Sequence, residues 1–519
     1  MRWSWKRSAA AVLAAGLVGT LGAAQASASP GHDPIARTWG GWVRGAVVDG
    51  TEQYLGIPFA APPTGALRWQ APRPATPWTG VRDATALGPI CPQTPAVLNS
   101  GLGSTTEDCL RVNVYRPAKP QRRPLPVIVW LHGPSDSGSG NSYRPGPLAA
   151  AGDAVVVTVN YRLGIFGFLA HPGLSAEAGA AGSGNYGLLD QQAALRWTQR
   201  NIAAFGGDPR RVAVAGQSDG GTDVCAHVAS PAAAGLFQRA VVQSGLCGLP
   251  LPTLAQSEQR GVALAQSAGC TTVACLRGLP VADVLRLGTT GAWGPSVGGS
   301  VLPRQIPQAF ATGAVHRVPV IQGTTHDEGR FLIATELAGR PPLTAEDYQH
   351  EITARFGDRS AQVLAEYPAQ AYDVPELALS AVVTDSTFAC PTRALNTALN
   401  RHVPVYEYEF DDPDAPLFLP VPHTFPLGAY HAVEVQYQFA FPIPMPPLSD
   451  AQRALAERMG RYWLAFAATG DPNTAGAPSW SRFRGADAQI QSLAPAGPAR
   501  ADDFGTDHRC GFWSGLQAG

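Results

Sequence analysis

The stretch Arg-Val-Ala-Val-Ala-Gly-Gln-Ser-Asp-Gly-Gly, Arg211 to Gly221, decides how the rest of the chain is read. A short run rich in β-branched residues enters a Gly-x-Ser-x-Gly turn, and a helix-like segment from Thr222 leaves it towards Ser230-Pro231. Glycines at 216 and 220 leave room for a tight strand-to-helix turn that lifts the Ser218 hydroxyl above a sheet edge. The pattern therefore predicts a serine nucleophile. A second match, Gly294-Pro295-Ser296-Val297-Gly298, has no strand ahead of it and prolines downstream, so Ser296 reads as a turn serine.

Working outward, Val127–Leu131 and Val155–Val159 are continuous apolar runs, as expected of central strands covered on both faces. Leu110–Tyr115 alternates like a strand, and Asn185–Phe205 follows a helical period. Further strands are expected at Arg239–Gln243, Pro319–Gln322 and Val405–Phe410. Alternating strands and helices predict an α/β protein with a large, mostly parallel central sheet. Residues 250–390 read as helical and loop insertions over the sheet, shaping a pocket near Trp293, Phe331 and Leu332.

The N-terminus belongs to a different category. Arg2, Lys6 and Arg7 precede an apolar stretch from Ala9 to Ala24, and Ala26-Ser27-Ala28 supplies a cleavage-type sequence. Residues 1–28 therefore read as a signal peptide, and 29–519 as a single domain of a secreted protein. No later apolar run reaches membrane-spanning length. A formal net charge of −1 without a basic tract gives no electrostatic support for a nucleic-acid or membrane partner. No Cys-x-x-Cys or His/Cys cluster marks a metal site, and no cofactor is implied. Oligomeric state is not readable.

A serine hydroxyl needs a base, and the base needs an orienting carboxylate. The loop Gly323–Gly329 offers Asp327 or Glu328, and the segment after Val405–Phe410 offers His423 or His431; position does not choose between them. His132, directly after a strand, reads as a loop-anchoring residue. Eight cysteines in an exported chain read as disulfides, with Cys91 and Cys109, Cys270 and Cys275, and Cys390 and Cys510 as pairs. Cys225 and Cys247 either pair or stay as buried thiols.

Several longer segments closely resemble the type-B carboxylesterase family, which includes the cholinesterases. They are Gly56–Trp69 (GIPFAAPPTGALRW), Glu107–Tyr115 (EDCLRVNVY), Asn160–Phe168 (NYRLGIFGF), Gly184–Gln191 (GNYGLLDQ) and Asn201–Pro209 (NIAAFGGDP). Asp327-Glu-Gly329 and Gly428-Ala-Tyr-His431 match as well, so the resemblance runs from about Ala36 to Trp513. With its export signal, the chain looks like a secreted bacterial-type member. The resemblance implies an α/β-hydrolase fold, a catalytic Ser218, Glu328 and His431, and a small-molecule ester substrate. It also implies a structural Arg68–Glu107 ion pair, and it suggests the Cys91–Cys109, Cys270–Cys275 and Cys390–Cys510 disulfides.

The chain departs from that family around the oxyanion hole. Where the family has a His-Gly-Gly-Gly-Phe type loop, this sequence has His132-Gly133-Pro134-Ser135-Asp136. The backbone donors expected here are Gly133, Ser135 and Asp219, because Pro134 has no N–H. Gln217 and Asp219 stand where Glu and Ala are usual, and Ala432 stands where glycine follows the histidine. Asp219 places a carboxylate beside a developing oxyanion. The expectation is a carboxylic ester hydrolase with an atypical hole. The alternatives are a specialised acyl-transfer or non-hydrolytic enzyme on the same scaffold, and a cholinesterase-like binding protein without catalysis.

Overall fold

The computed structural model describes residues 33–96, 101–289, 293–485, 489–497, 500–501 and 503–518. The expected signal peptide, residues 1–28, lies outside the described residues.

An eleven-stranded sheet organises the molecule. Its strands, numbered here in chain order, are β1 (Ala46–Val48), β2 (Thr51–Pro58), β3 (Arg111–Pro117), β4 (Leu125–Leu131), β5 (Val155–Val159) and β6 (Gly207–Gln217). They continue with β7 (Arg239–Gln243), β8 (Val320–Thr325), β9 (Val405–Phe410), β10 (Ile490–Leu493) and β11 (Arg500–Ala501). The spatial order is β1-β2-β3-β5-β4-β6-β7-β8-β9-β10-β11. All neighbours from β5 to β10 run parallel, while pairs at both edges are antiparallel. This is the α/β-hydrolase architecture. Strand β8 runs to Thr325, three residues past the end expected from sequence, so less of the segment to Gly329 is loop.

Period-two alternation explains why the central strands are apolar throughout. Val127, Val129, Leu131, Val155, Val157, Val159, Val212 and Val214 face one hydrophobic core. Ile128, Trp130, Val156, Ala213, Ala215, Val241 and Ile321 face a second core on the opposite side. Each strand residue is thus buried whichever way it points, the condition of a parallel sheet sandwiched between helices.

The flanking helices include α1 (Tyr186–Asn201), α2 (Asp219–Ala229), α3 (Glu328–Glu336), α4 (Pro375–Val383), α5 (Cys390–Leu399) and α6 (Asp450–Thr469). Between α4 and α5 the residues Thr384–Ala389 form a π-helical turn. The segment after residue 250 is rich in helices, including Leu254–Ser267, Val281–Gly288 and Ala345–Phe356. Among the described residues no helix is long and apolar enough to cross a membrane.

All eight cysteines are paired: Cys91–Cys109, Cys225–Cys247, Cys270–Cys275 and Cys390–Cys510. The pairing left open from sequence, Cys225 with Cys247, joins helix α2 to the segment following β7. Arg68 and Glu107 form a buried bidentate pair with N···O distances of 2.7 and 2.5 Å. Arg68 also donates to the carbonyls of Arg277 and Leu279, which makes it a clasp between distant segments.

Candidate active site

Strand β6 ends at Gln217 and helix α2 begins at Asp219, leaving Ser218 alone in the turn with φ 59° and ψ −124°. That conformation is unfavourable for a residue with a side chain, and the surrounding backbone holds it in place. A Cβ on Gly216 would sit 2.4 Å from the Gly220 carbonyl oxygen, and one on Gly220 would sit 2.2 Å from that of Leu131. Only glycine fits at either position. The Ser218 N–H donates to the Gln243 carbonyl at 2.9 Å, fastening the turn to the end of β7.

Opposite the serine, His431 Nε2 lies 2.9 Å from Ser218 Oγ. The other ring nitrogen, Nδ1, lies 2.5 Å from Glu328 Oε2. Glu328 is fully buried and opens α3; its second oxygen accepts the Thr325 N–H at 2.8 Å. The N–H of Gly329 donates to Thr384 Oγ1 on the π-helical turn at 2.9 Å, so that turn braces the first residues of α3. Phe388 of the same turn packs against the His431 ring at 5.3 Å between centroids.

The two residues that position alone could not separate from these have other contacts. Asp327 accepts the Ala429 N–H at 2.9 Å and pairs with Arg330 at 2.9 Å. It therefore anchors the backbone two residues before His431. His423 is exposed and bonds the Val421 carbonyl. His132 is buried, stacks on Tyr161 at 4.5 Å and is pushed down to a pKa of about 3 by burial. Ser296 is buried in a turn whose backbone exchanges hydrogen bonds with the Asn185 side chain. Trp293 is buried with its carbonyl bonded to Ser135 Oγ, whereas Phe331 is partly buried and stacks on Tyr430 at 5.7 Å.

Burial alone would lower the pKa of His431, but the adjacent Glu328 carboxylate outweighs it and leaves the imidazole raised above its ordinary value. Glu434, buried and hydrogen-bonded by Gln243 at 3.4 Å, is pushed up to about 8 chiefly by desolvation and then by repulsion from Glu328. Burial thus favours the protonated form of Glu434, whereas Glu328 bonds the histidine directly. Gln217 places its amide 3.3 Å from His431 Nε2, a second polar contact at the nitrogen facing Ser218. Neither Glu434 nor Phe388 is legible as a site residue in the sequence, since both arrive through tertiary packing.

The expected oxyanion donors are differently disposed. Gly133 lies against the elbow: a Cβ there would be 3.1 Å from Ser218 Cβ and 3.2 Å from Asp219 N. Asp219 is the first residue of α2, where a backbone N–H has no acceptor within the helix. Ser135, expected as a donor, directs its N–H to the Asp219 carboxylate at 2.7 Å. Desolvation, opposed by that hydrogen bond, raises the Asp219 pKa. The carboxylate and the loop donor occupy each other.

Residues 32–513 match the model of the Carboxylesterase family. The chain belongs to that family and is a carboxylic ester hydrolase. It is 35% identical over 497 residues to an acylcarnitine hydrolase of Mus musculus, with 88% of this chain and 87% of that protein covered. It is 36% identical to a para-nitrobenzyl esterase of Bacillus subtilis (strain 168), covering 86% of this chain and 92% of the relative. A fumonisin B1 esterase of Sphingopyxis macrogoltabida is 34% identical, with 93% and 90% covered. These relatives are both mammalian and bacterial, so membership of the family does not assign the chain to a bacterial branch. Among solved structures, a PNB esterase aligns with a TM-score of 0.77 at 33% identity, covering 92% of this chain and 98% of that one.

Proposed function

We propose that the protein is a secreted serine hydrolase that cleaves small-molecule carboxylic esters through an acyl-enzyme, with Ser218, His431 and Glu328 as its catalytic triad. The observation that carries this reading is the unbroken chain Ser218 Oγ, His431, Glu328, with contacts of 2.9 and 2.5 Å.

In this mechanism His431 Nε2 removes the Ser218 proton as Oγ attacks the ester carbonyl, and the resulting imidazolium is held by Glu328. The same proton then passes to the leaving alcohol. Water, deprotonated by His431, releases the acid and regenerates Ser218. The Asp219 N–H at the α2 N-terminus donates to the tetrahedral oxyanion, assisted by the positive end of the helix dipole. Gly133 is the second donor. Ser135 joins only if its N–H leaves the Asp219 carboxylate, and Pro134 has none to give. Gln217, being neutral, offers no charge for a cationic alcohol. The names of the relatives span acylcarnitine, fumonisin and nitrobenzyl substrates, so the acyl and alcohol groups are left open. Four disulfides and the N-terminal segment support export to an oxidising compartment.

The test is intact-mass labelling of the mature protein with a fluorophosphonate. Stoichiometric labelling that disappears in Ser218→Ala is expected. A wild type that stays unlabelled while binding a ligand as tightly as Ser218→Ala would replace this proposal with the non-catalytic reading. A specialised acyl transferase on the same triad would show labelling together with faster turnover when an alcohol acceptor replaces water.

A further inference from the structure

On the far side of the Glu328 loop, three side chains from distant parts of the sequence converge. His326 precedes Glu328 by two residues, Glu409 lies on β9, and His508 follows the short helix Phe504–Asp507. One nitrogen of each imidazole and one Glu409 oxygen all lie within 4.8 Å of one another. We propose that these three residues form a binding site for a divalent cation of zinc type, separate from the catalytic triad.

The donor set and its surroundings both argue for it. Two imidazoles and a carboxylate are a zinc ligand set, with metal–ligand bonds of about 2.0–2.2 Å. Ligands on one tetrahedral zinc stand roughly 3.4 Å apart, so His508 Nε2 and Glu409 Oε1, now at 2.6 Å, would part while the wider spacings, at most 4.8 Å, close. Each imidazole is also oriented by a carboxylate on its other side. His508 Nδ1 contacts Asp385 Oδ1 at 2.6 Å, while its Nε2 points at Glu409 Oε1, also at 2.6 Å. His326 Nδ1 contacts Asp327 Oδ1 at 3.1 Å, leaving Nε2 to ligate. A carboxylate behind each ligating histidine is the arrangement that fixes tautomer and ring direction in metal sites. Asp385 is itself held by the Tyr367 hydroxyl at 2.7 Å, and Tyr367 by the Trp513 indole at 2.7 Å. The framework is thus rigid on the His508 side. The His326 side chain is 39% exposed, which gives the ion an entry path and a water for the fourth position.

The bland occupant is a proton held by His508 between Asp385 and Glu409, and the experiment must separate the two. Full-length mature protein is stripped with chelator and titrated with Zn²⁺ by calorimetry, with thermal unfolding followed in parallel. One ion per chain and a rise in Tm are expected. His326→Ala removes a ligand at the exposed edge without opening the core, and it should weaken binding by roughly 100-fold or more. Asp385→Asn should weaken it about 10- to 100-fold, as loss of an orienting partner does. Co²⁺ in place of Zn²⁺ should give the d–d absorption of a four- or five-coordinate N/O site in the wild type only. Absence of saturable Zn²⁺ uptake overturns the proposal in favour of the proton. Uptake that is unchanged in His326→Ala overturns it in favour of some other site.

Discussion

Replacing Asp219 by alanine is the most informative change to this site, because in the proposed mechanism one carboxylate both opposes the oxyanion and occupies a donor. The Ser135 N–H to Asp219 bond is 2.7 Å long and has a charged or ionisable acceptor. Hydrogen bonds of that class contribute about 1.5–3 kcal/mol. Recruiting Ser135 into the hole during catalysis must first break it. Asp219→Ala abolishes that cost, and 1.5–3 kcal/mol corresponds to about 10- to 100-fold in rate. A full extra donor is worth on the order of 10²–10³, which sets the ceiling. The Asp219 N–H is retained in the variant. The expected outcome is therefore a rise of about 10- to 100-fold in kcat/KM on a p-nitrophenyl ester, mostly in kcat. The assay is steady-state hydrolysis near pH 8, with circular dichroism to check folding. A fall in a folded variant would refute the argument. It would mean that the Asp219 carboxyl, protonated through its raised pKa, is itself the donor to the oxyanion.

Three further outcomes follow from the geometry. Since Glu328 holds the His431 pKa above its ordinary 6.5 and activity needs the neutral imidazole, the acid limb of kcat/KM should lie above 6.5. Glu328→Gln should move that limb to lower pH while cutting kcat, and a limb that does not move would count against the assigned partner. Ala432 sits at φ 72°, a left-handed conformation costing a non-glycine residue about 1–2 kcal/mol, so Ala432→Gly should raise stability by roughly 1 kcal/mol in urea unfolding. Removing the Cys390–Cys510 bridge, which closes a 120-residue loop, with Cys390→Ala and Cys510→Ala should cost up to about 5 kcal/mol. An unchanged denaturation midpoint would refute the entropic account.

The elbow and the central sheet were legible because their signals are local. Gly216 and Gly220 are demanded by contacts within a few residues of Ser218 or with the neighbouring β4, and the apolar runs of β4 and β5 need no partner to be recognised as doubly buried. The choice between Asp327 and Glu328 was not local, since both share one turn; only the resemblance separated them before the structure showed where each side chain goes. The sequence places the end of β8 too early because Gly323 and Thr324-Thr325 read as the start of the loop to Gly329, yet they pair with Tyr408, Glu409 and Phe410 of β9. Glu434, Phe388 and Thr384 escaped because nothing in their own neighbourhoods marks them. The Asp219 carboxylate was expected to oppose the oxyanion, but its capture of Ser135 depends on how the 132–136 loop lies over the elbow. His326, Glu409 and His508 carry no ligand spacing at all, being separated by 83 and 99 residues.

Asp327 and Glu328 are adjacent in sequence yet grip the same remote segment at two points, one through the Ala429 amide and the other through the His431 ring. The proposed base is therefore hung from a dipeptide rather than from a strand of its own. Inserting one residue between the two would turn Glu328 by about 100° around α3 while leaving the Ala429 anchor where it is. The two grips would then pull against each other. In this part of the molecule chain length is a tighter constraint than residue identity: Asp327→Asn can keep the anchor, whereas no side chain at an inserted position could restore both.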